Sequence, residues 1–418
     1  MTEKKSAAAI ALGVALSFGA ASLTIVSVSA QAQKKEQQTV GPKVGNPLQA
    51  ALTAAKNKQY DVALAKLKEA QAVPNKSAFE QYKINETLAF VYSTQRKYAD
   101  LAGIYEKYLE DPQFLPAGLA ETLPKQIAIF YYQAQQYPKS EEYSKQWLKS
   151  HPNDSEISAL LGQTYYLTKD YKQCKETMGS TISRAEKSGA EPKEAWLQIA
   201  QACALSTDDD AGVMQAYEKL VRYYPKAEWW SQYLKRVMRA ERSDTALFEW
   251  HRLMLDTGVM REPSDFMEYT QEAMINFESP VESLRVVEAG FSKQVLGSDP
   301  KNKIRHDTLL NKAKEAASAA KAKLAQLTSE AESAATGEVD VQVGNIHFGN
   351  EQYDQAIKYL ESALKKGGLK DMGTVEMTLG IAQLKKGQRD QARATFKSIP
   401  ADSQLNKVAD AWILRSYN

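Results

Sequence analysis

The chain has 418 residues, of which 43% are hydrophobic and 25% charged, with 53 Lys and Arg against 51 Asp and Glu. That composition supports a packed interior and excludes both a disordered tail and a membrane bundle. The signs are interleaved, so nothing marks a nucleic-acid binder, and the length exceeds what one compact core fills, so several domains or an extended repeat is expected.

The N-terminus comes first. Lys4 and Lys5 precede an uncharged run from Ser6 to Ala30, closing on Val28-Ser29-Ala30 and Ala30-Gln31-Ala32, small-residue patterns that a signal peptidase can cut. Residues 1–32 therefore read as a signal peptide, with an uncleaved anchor as the alternative because the run could span a bilayer. Export is the expectation in either case, and membrane attachment arises only if the anchor is kept. No cysteine stands near the cut, so a lipid anchor is excluded. Residues 33–47, rich in Gln, Lys, Gly and Pro, read as a flexible leader.

From residue 48 the chain repeats itself. A large apolar residue, a small one beside it and a bulky one three places on recur as Leu88-Ala89-Tyr92, Ile127-Ala128-Tyr131, Leu161-Gly162-Tyr165 and Ile199-Ala200-Cys203. The same element returns as Val343-Gly344-His347 and Leu379-Gly380-Gln383. About one helix later comes a small or modest residue with a bulky one four places on, as in Ala63 with Leu67, Cys174 with Met178, Ala356 with Leu360 and Ala392 with Phe396. Two antiparallel helices approach closely only where one presents Gly or Ala, and the bulky partner then fills the space beside the crossing. Turn signals such as Asn57-Lys58-Gln59-Tyr60 and Lys169-Asp170-Tyr171 separate the helices within pairs, while Pro74, Pro112, Pro152 and Pro225 close them.

Using the small residue of each second helix as a marker gives positions 63, 101, 140, 174, 213, 246, about 283, 356 and 392, hence about nine pairs. The intervals are 33 to 39 residues except for one of about 73. That gap holds an Ala/Lys-rich stretch from Asn302 to Ser329 without Gly or Pro, which reads as one helix of about 40 Å. Its basic portion, Lys301 to Lys323, reads as a solvated face. The expected division is residues 48–297 for an N-terminal repeat superhelix, 298–335 for the long-helix insertion, and 336–418 for C-terminal pairs and a capping helix.

This pattern resembles the tetratricopeptide family over about 350 residues. The resemblance implies an all-α, helical-hairpin solenoid wound as a right-handed superhelix, and a scaffold that binds proteins. In the helices lining such a superhelix, the residue beside the core aromatic faces the groove. That places Phe90, Ile129, Tyr132, Gln163 and Tyr166 on a shared wall, with Lys125 nearby, suited to an extended or helical peptide. The lysine and asparagine set that clamps a C-terminal carboxylate in some members is not reproduced, since Val341 stands one turn before Asn345.

Catalytic and metal motifs are not found. His151, His251, His306 and His347 lack metal-ligand spacing, and the carboxylate pairs Glu141-Glu142 and Asp208-Asp209-Asp210 are assigned to exposed helices or turns. The expectation is a non-enzyme with no cofactor and no metal. Cys174 and Cys203 occupy repeat positions that favour small buried residues; two buried thiols are the favoured reading and a disulfide the alternative.

The layout also resembles exported tetratricopeptide proteins of Gram-negative bacteria encoded with TonB-type energy-transduction systems. The points of likeness are the signal and Gly/Pro leader, Tyr137 to Trp147, and the aromatic segment Tyr223 to Tyr233. They imply a periplasmic accessory to outer-membrane transport whose partners are envelope proteins; anchorage in the inner membrane facing the periplasm is the alternative. Two other functions compete. One is an envelope assembly factor for outer-membrane proteins, polysaccharide or pili, and the other is small-molecule or glycan binding in the groove.

Overall fold

The computed structural model describes residues 38–275 and 278–418. Among them lie twenty helices and no strand. Nine antiparallel hairpins are formed by α1 (Pro42–Lys56) and α2 (Tyr60–Ala72), α3 (Ala78–Thr94) and α4 (Tyr98–Glu110), α5 (Leu119–Gln133) and α6 (Tyr137–Ser150). There follow α7 (Ser155–Leu167) and α8 (Tyr171–Lys187), α9 (Glu194–Ser206) and α10 (Asp210–Tyr223), α11 (Ala227–Ala240) and α12 (Asp244–Asp256), and α13 (Pro263–Ile275) and α14 (Pro280–Ser292). The long α15 (Lys303–Ser333) precedes the last two hairpins, α16 (Glu338–Gly349) with α17 (Tyr353–Lys366) and α18 (Met372–Lys385) with α19 (Arg389–Ser398); α20 (Asn406–Arg415) ends the chain. The nine expected pairs are all present among the described residues. The signal or anchor expected over residues 1–32 lies outside them.

Local chemistry explains the ends of these helices. Ser77 and Glu80 form a capping box at the start of α3, and Asp154 accepts the Glu156 and Ile157 N–H groups at the start of α7. Most hairpin turns share one backbone device. Lys58, Arg96, Gln135, Lys169, Asp208 and Glu351 all have left-handed φ between 52° and 65°, and Gly387 has 77°. Around each, two crossed N–H to C=O bonds satisfy the last carbonyls of the first helix, as where Gln59 donates to Ala54 and Lys58 to Ala55.

The small residues act as the repeat requires. A methyl at Gly380 would come within 2.5 Å of the Phe396 ring, and one at Gly344 within 2.9 Å of Leu360. The glycine and the bulky residue of the second helix therefore share one crossing.

Two expectations are corrected. The leader was expected to run to residue 47, but α1 begins at Pro42, where proline suits the first helical turn and Val44 is buried. The chain divides into compact units at residues 213 and 214, inside α10, and not at the long helix as expected. The reason lies in the second unit, where α15 packs on α13, α14 and α16 and so belongs to its interior sequence of helices. There too α20 does more than cap the last pair, because it returns to pack against α12. Asp256 of α12 is held by Lys385 of α18 and by Arg415 of α20, the latter at 2.7 Å.

In the first unit each helix from α1 to α8 packs on the next, and first helices of successive hairpins lie side by side, α1 with α3, α5 with α7 and α7 with α9. At α1 the side bearing Asn46, Gln49, Thr53 and Asn57 borders an open hollow of about 450 Å³. The positions on α3 that match Asn46, Gln49 and Thr53 carry the buried Ile84, Thr87 and Val91.

Candidate functional site

Within each first helix of the first unit, the small residue and the bulky one three places on face the core. Positions three before and one, four and five after the small residue fall on another side, about 40–140° away at 100° per residue. The large apolar side chains that stay exposed in these helices occupy that side. Phe90 follows Ala89 by one residue and is 43% exposed, while Leu167 and Leu205 follow Gly162 and Ala200 by five and are 40% and 47% exposed. Ile129, Tyr132 and Tyr166 lie on the same side, half-buried.

The two tyrosines are braced alike. The Tyr132 ring lies 5.9 Å from Tyr137, and the Tyr166 ring 5.8 Å from Tyr171, each partner opening the second helix of its hairpin. Burial raises the Tyr132 hydroxyl pKa above the ordinary tyrosine range, so it stays protonated. Ile129 and Tyr132 also pack on a cluster of Ala128, Trp147, Ile157 and Leu160, which joins α5 to α7.

Two of the expected wall residues have other duties. Lys125 is bound 2.8 Å from Asp154 and lies over the Trp147 ring at 5.7 Å, so it ties α5 to the start of α7 and is not a free groove cation. Asp154 also accepts the Trp147 indole N–H at 2.9 Å. Burial pushes its carboxyl up, but the Lys125 ammonium and these N–H donors outweigh that and hold it below the usual range. Gln163 is only 8% exposed, buried in α7 and not displayed on the wall. The wall is therefore Ile129, Tyr132, Tyr166, Leu167 and Leu205 along α5, α7 and α9, with Phe90 on α3, whose first-helix neighbour is α1. Sequence reading missed Leu167 and Leu205. Counting five places from the small residue would have found them.

The favoured reading of the cysteines is also corrected. Cys174 of α8 and Cys203 of α9 form a disulfide with Cα atoms 6.1 Å apart, both fully buried. A second helix packs on the next first helix, which brings these two small-residue positions within bonding reach.

A second polar centre, unforeseen from sequence, lies in the second unit. Glu249 and Arg252 of α12 are buried, and Arg252 grips Glu282 of α14 with Nε at 3.0 Å and Nη2 at 2.6 Å. Its Nη1 donates to Glu249 and to Thr378 of α18, both at 2.9 Å, while the Tyr269 hydroxyl donates to Glu282 at 2.7 Å. Burial raises Glu282, but bidentate Arg252 prevails and keeps it ionised below the usual range. Glu249 has the weaker partnership, one oxygen lacking a partner, and burial pushes it up to about 7. The adjoining cavity, bordered by Asn345 and Thr374, is about 40 Å³, room for little more than water. The chemistry is that of a clasp joining α12, α14 and α18.

The histidines are packed. His151 stacks on Trp147 at 3.6 Å, His251 bonds Glu272 at 3.0 Å, His306 accepts the Gly297 N–H at 3.0 Å, and His347 meets Gln352 at 2.7 Å. Among the described residues no group of His, Cys, Asp or Glu is arranged to hold a metal ion, and no helix is long and apolar enough to cross a membrane.

Residues 347–413 match the tetratricopeptide repeat family. Its left-handed hairpin turns recur earlier at Lys58, Arg96, Gln135, Lys169 and Asp208, and its glycine crossing at Gly162. No curated protein matches the chain in sequence. Among solved structures, the chain is similar to PilW, titled a widely conserved type IV pilus biogenesis factor, at 18% identity over 44% of this chain and 80% of PilW, with a TM-score of 0.30. It is also similar to a tetratricopeptide repeat protein from Parabacteroides merdae, at 12% identity over 82% of this chain and 100% of that one, with a TM-score of 0.32.

Proposed function

We propose that this tetratricopeptide-like chain is a non-enzymatic scaffold that captures a segment of a protein partner along the first-helix wall of α5, α7 and α9. The observation that carries this reading is the placement of exposed apolar side chains. Scattered exposed leucines are ordinary, but Leu167 and Leu205 fall at the same repeat position and continue the side that bears Ile129, Tyr132 and Tyr166. Rigid aromatic rings beside aliphatic groups provide contact area at little entropic cost, which is what a peptide groove needs.

The compartment we propose is extracytoplasmic, the periplasm, with the partner an envelope protein and the TonB-type transport systems the working context. The Cys174–Cys203 disulfide supports this, since such bonds persist in oxidising compartments and are rare in the cytosol. Replacing Tyr132 and Tyr166 together by Ala tests the site. Crosslinking in intact producing cells, followed by mass spectrometry, should recover the wild-type partner at least tenfold less with the variant, while its circular dichroism melt stays sharp. Undiminished recovery would move the site off this wall.

A further inference from the structure

The long helix α15 leaves a second surface open. The hairpins on either side supply each helix with a mate of similar length, whereas α15 has 31 residues and α14 and α16 have 13 and 12. Its inner face buries His306, Leu309, Ala313 and Ala317, but from Ser318 onward only Ala331 is buried.

The charges on this helix are arranged. At 100° per residue, Lys303, Lys314 and Lys321 point within about 20° of one another, and Arg305, Lys312 and Lys323 point about 180° from them. Two cationic rails thus run on either side of an outward strip that carries Asn311, Glu315, Ser318 and Ala322. Lys303 is paired with Asp307 at 2.6 Å, and the other five cations form no ion pair among the described residues. Glu315 is the sole anion between Thr308 and Ser329. A face with five exposed, unneutralised cations on two parallel lines is an electrostatic complement for something acidic.

We infer that the outward face of α15 docks a helix of a partner protein carrying Asp and Glu along both of its edges. Between the rails Ser318 and Ala322 let a second helix axis approach to about 8–10 Å, and flanking charges of opposite sign then fix its register, as at coiled-coil edges. A membrane surface is the weaker occupant. The strip offers no bulky apolar group except Ile304 in its first turn, whereas an interfacial helix needs an apolar face to bury. This surface is independent of the first-helix wall.

The test places a photocrosslinking amino acid at Ser318 or Ala322 of the full chain in producing cells, with a parallel probe at Leu205. The expected adduct is one protein segment with acidic residues at helical spacing. Its yield should fall at least fivefold when Lys312, Lys314, Lys321 and Lys323 are all changed to Gln, and also in raised salt, while the Leu205 adduct is unaffected. Those four side chains are exposed, so the fold should tolerate the change, and an unaltered melting curve checks it. Adducts to lipid, adducts only within the chain, no adduct, or a yield indifferent to the lost charges would each overturn the inference. Loss of the Leu205 adduct alone would count against the wall and leave α15 standing.

Discussion

Burial pushes the Glu249 carboxyl up to about 7, with Arg252 opposing and the Glu282 charge adding to the rise. The groups facing it are Arg252 on its own helix, Glu282 on α14 and Asp371 at the start of α18. Because the folded value lies above the unfolded one, the protonated form binds its proton more tightly in the native state. This contribution to stability is complete below about pH 4.5 and is lost as pH rises through about 7, a change on the order of 2–4 kcal/mol. Urea midpoints of the wild type should accordingly fall between pH 5 and pH 7.5 by more than those of Glu249→Gln. Parallel profiles for the two proteins would show that Glu249 is ionised throughout. At the same scale, the disulfide closes a sequence separation of 29 residues, which stabilises the first unit by about 3–4 kcal/mol in the chain-entropy account.

Hairpins depend on their crossings. Gly380→Ala would drive a methyl into the Phe396 ring, and forcing extra volume into a packed crossing costs about 1–3 kcal/mol. A thermal midpoint lowered by several degrees would agree with this, and an unchanged midpoint would show that the helices part without strain. The crossing was legible in sequence because it is a rule about residue size at fixed spacing. Gly162, Gly344 and Gly380 each precede a bulky partner by 16 residues, and each meets it. The left-handed turns were not legible, because Lys, Arg, Gln, Asp and Glu occupy positions where only Gly387 signals its conformation. Nor was the Arg252 clasp, whose Glu249 and Glu282 read as ordinary helix-surface charges at i,i+3 spacing until long-range packing encloses them. On the wall, Tyr132 and Tyr166 were legible because each follows a core tyrosine, Tyr131 and Tyr165, while Lys125 was misjudged because its partner Asp154 is 29 residues away.

At the scale of the whole molecule, each unit solves a different problem. The first continues hairpin on hairpin and presents one side of its first helices, where apolar groups remain exposed. The second binds itself together, with α20 returned to α12 and Asp256 holding two cations. A scaffold needs both properties, a surface that gains from being covered and a body that does not open when it is. The buried clasp of Arg252 with Glu249, Glu282 and Thr378 joins α12, α14 and α18 within the second unit. The measurement closest to this claim is site-specific photocrosslinking in producing cells, with the probe placed in turn at Leu205 on the wall and at Lys172 on the second helix of the neighbouring hairpin. The account predicts one discrete protein adduct from Leu205, with its contact mapped to a single partner segment, and none from Lys172. Equal adducts from both positions, or none from Leu205, would contradict it.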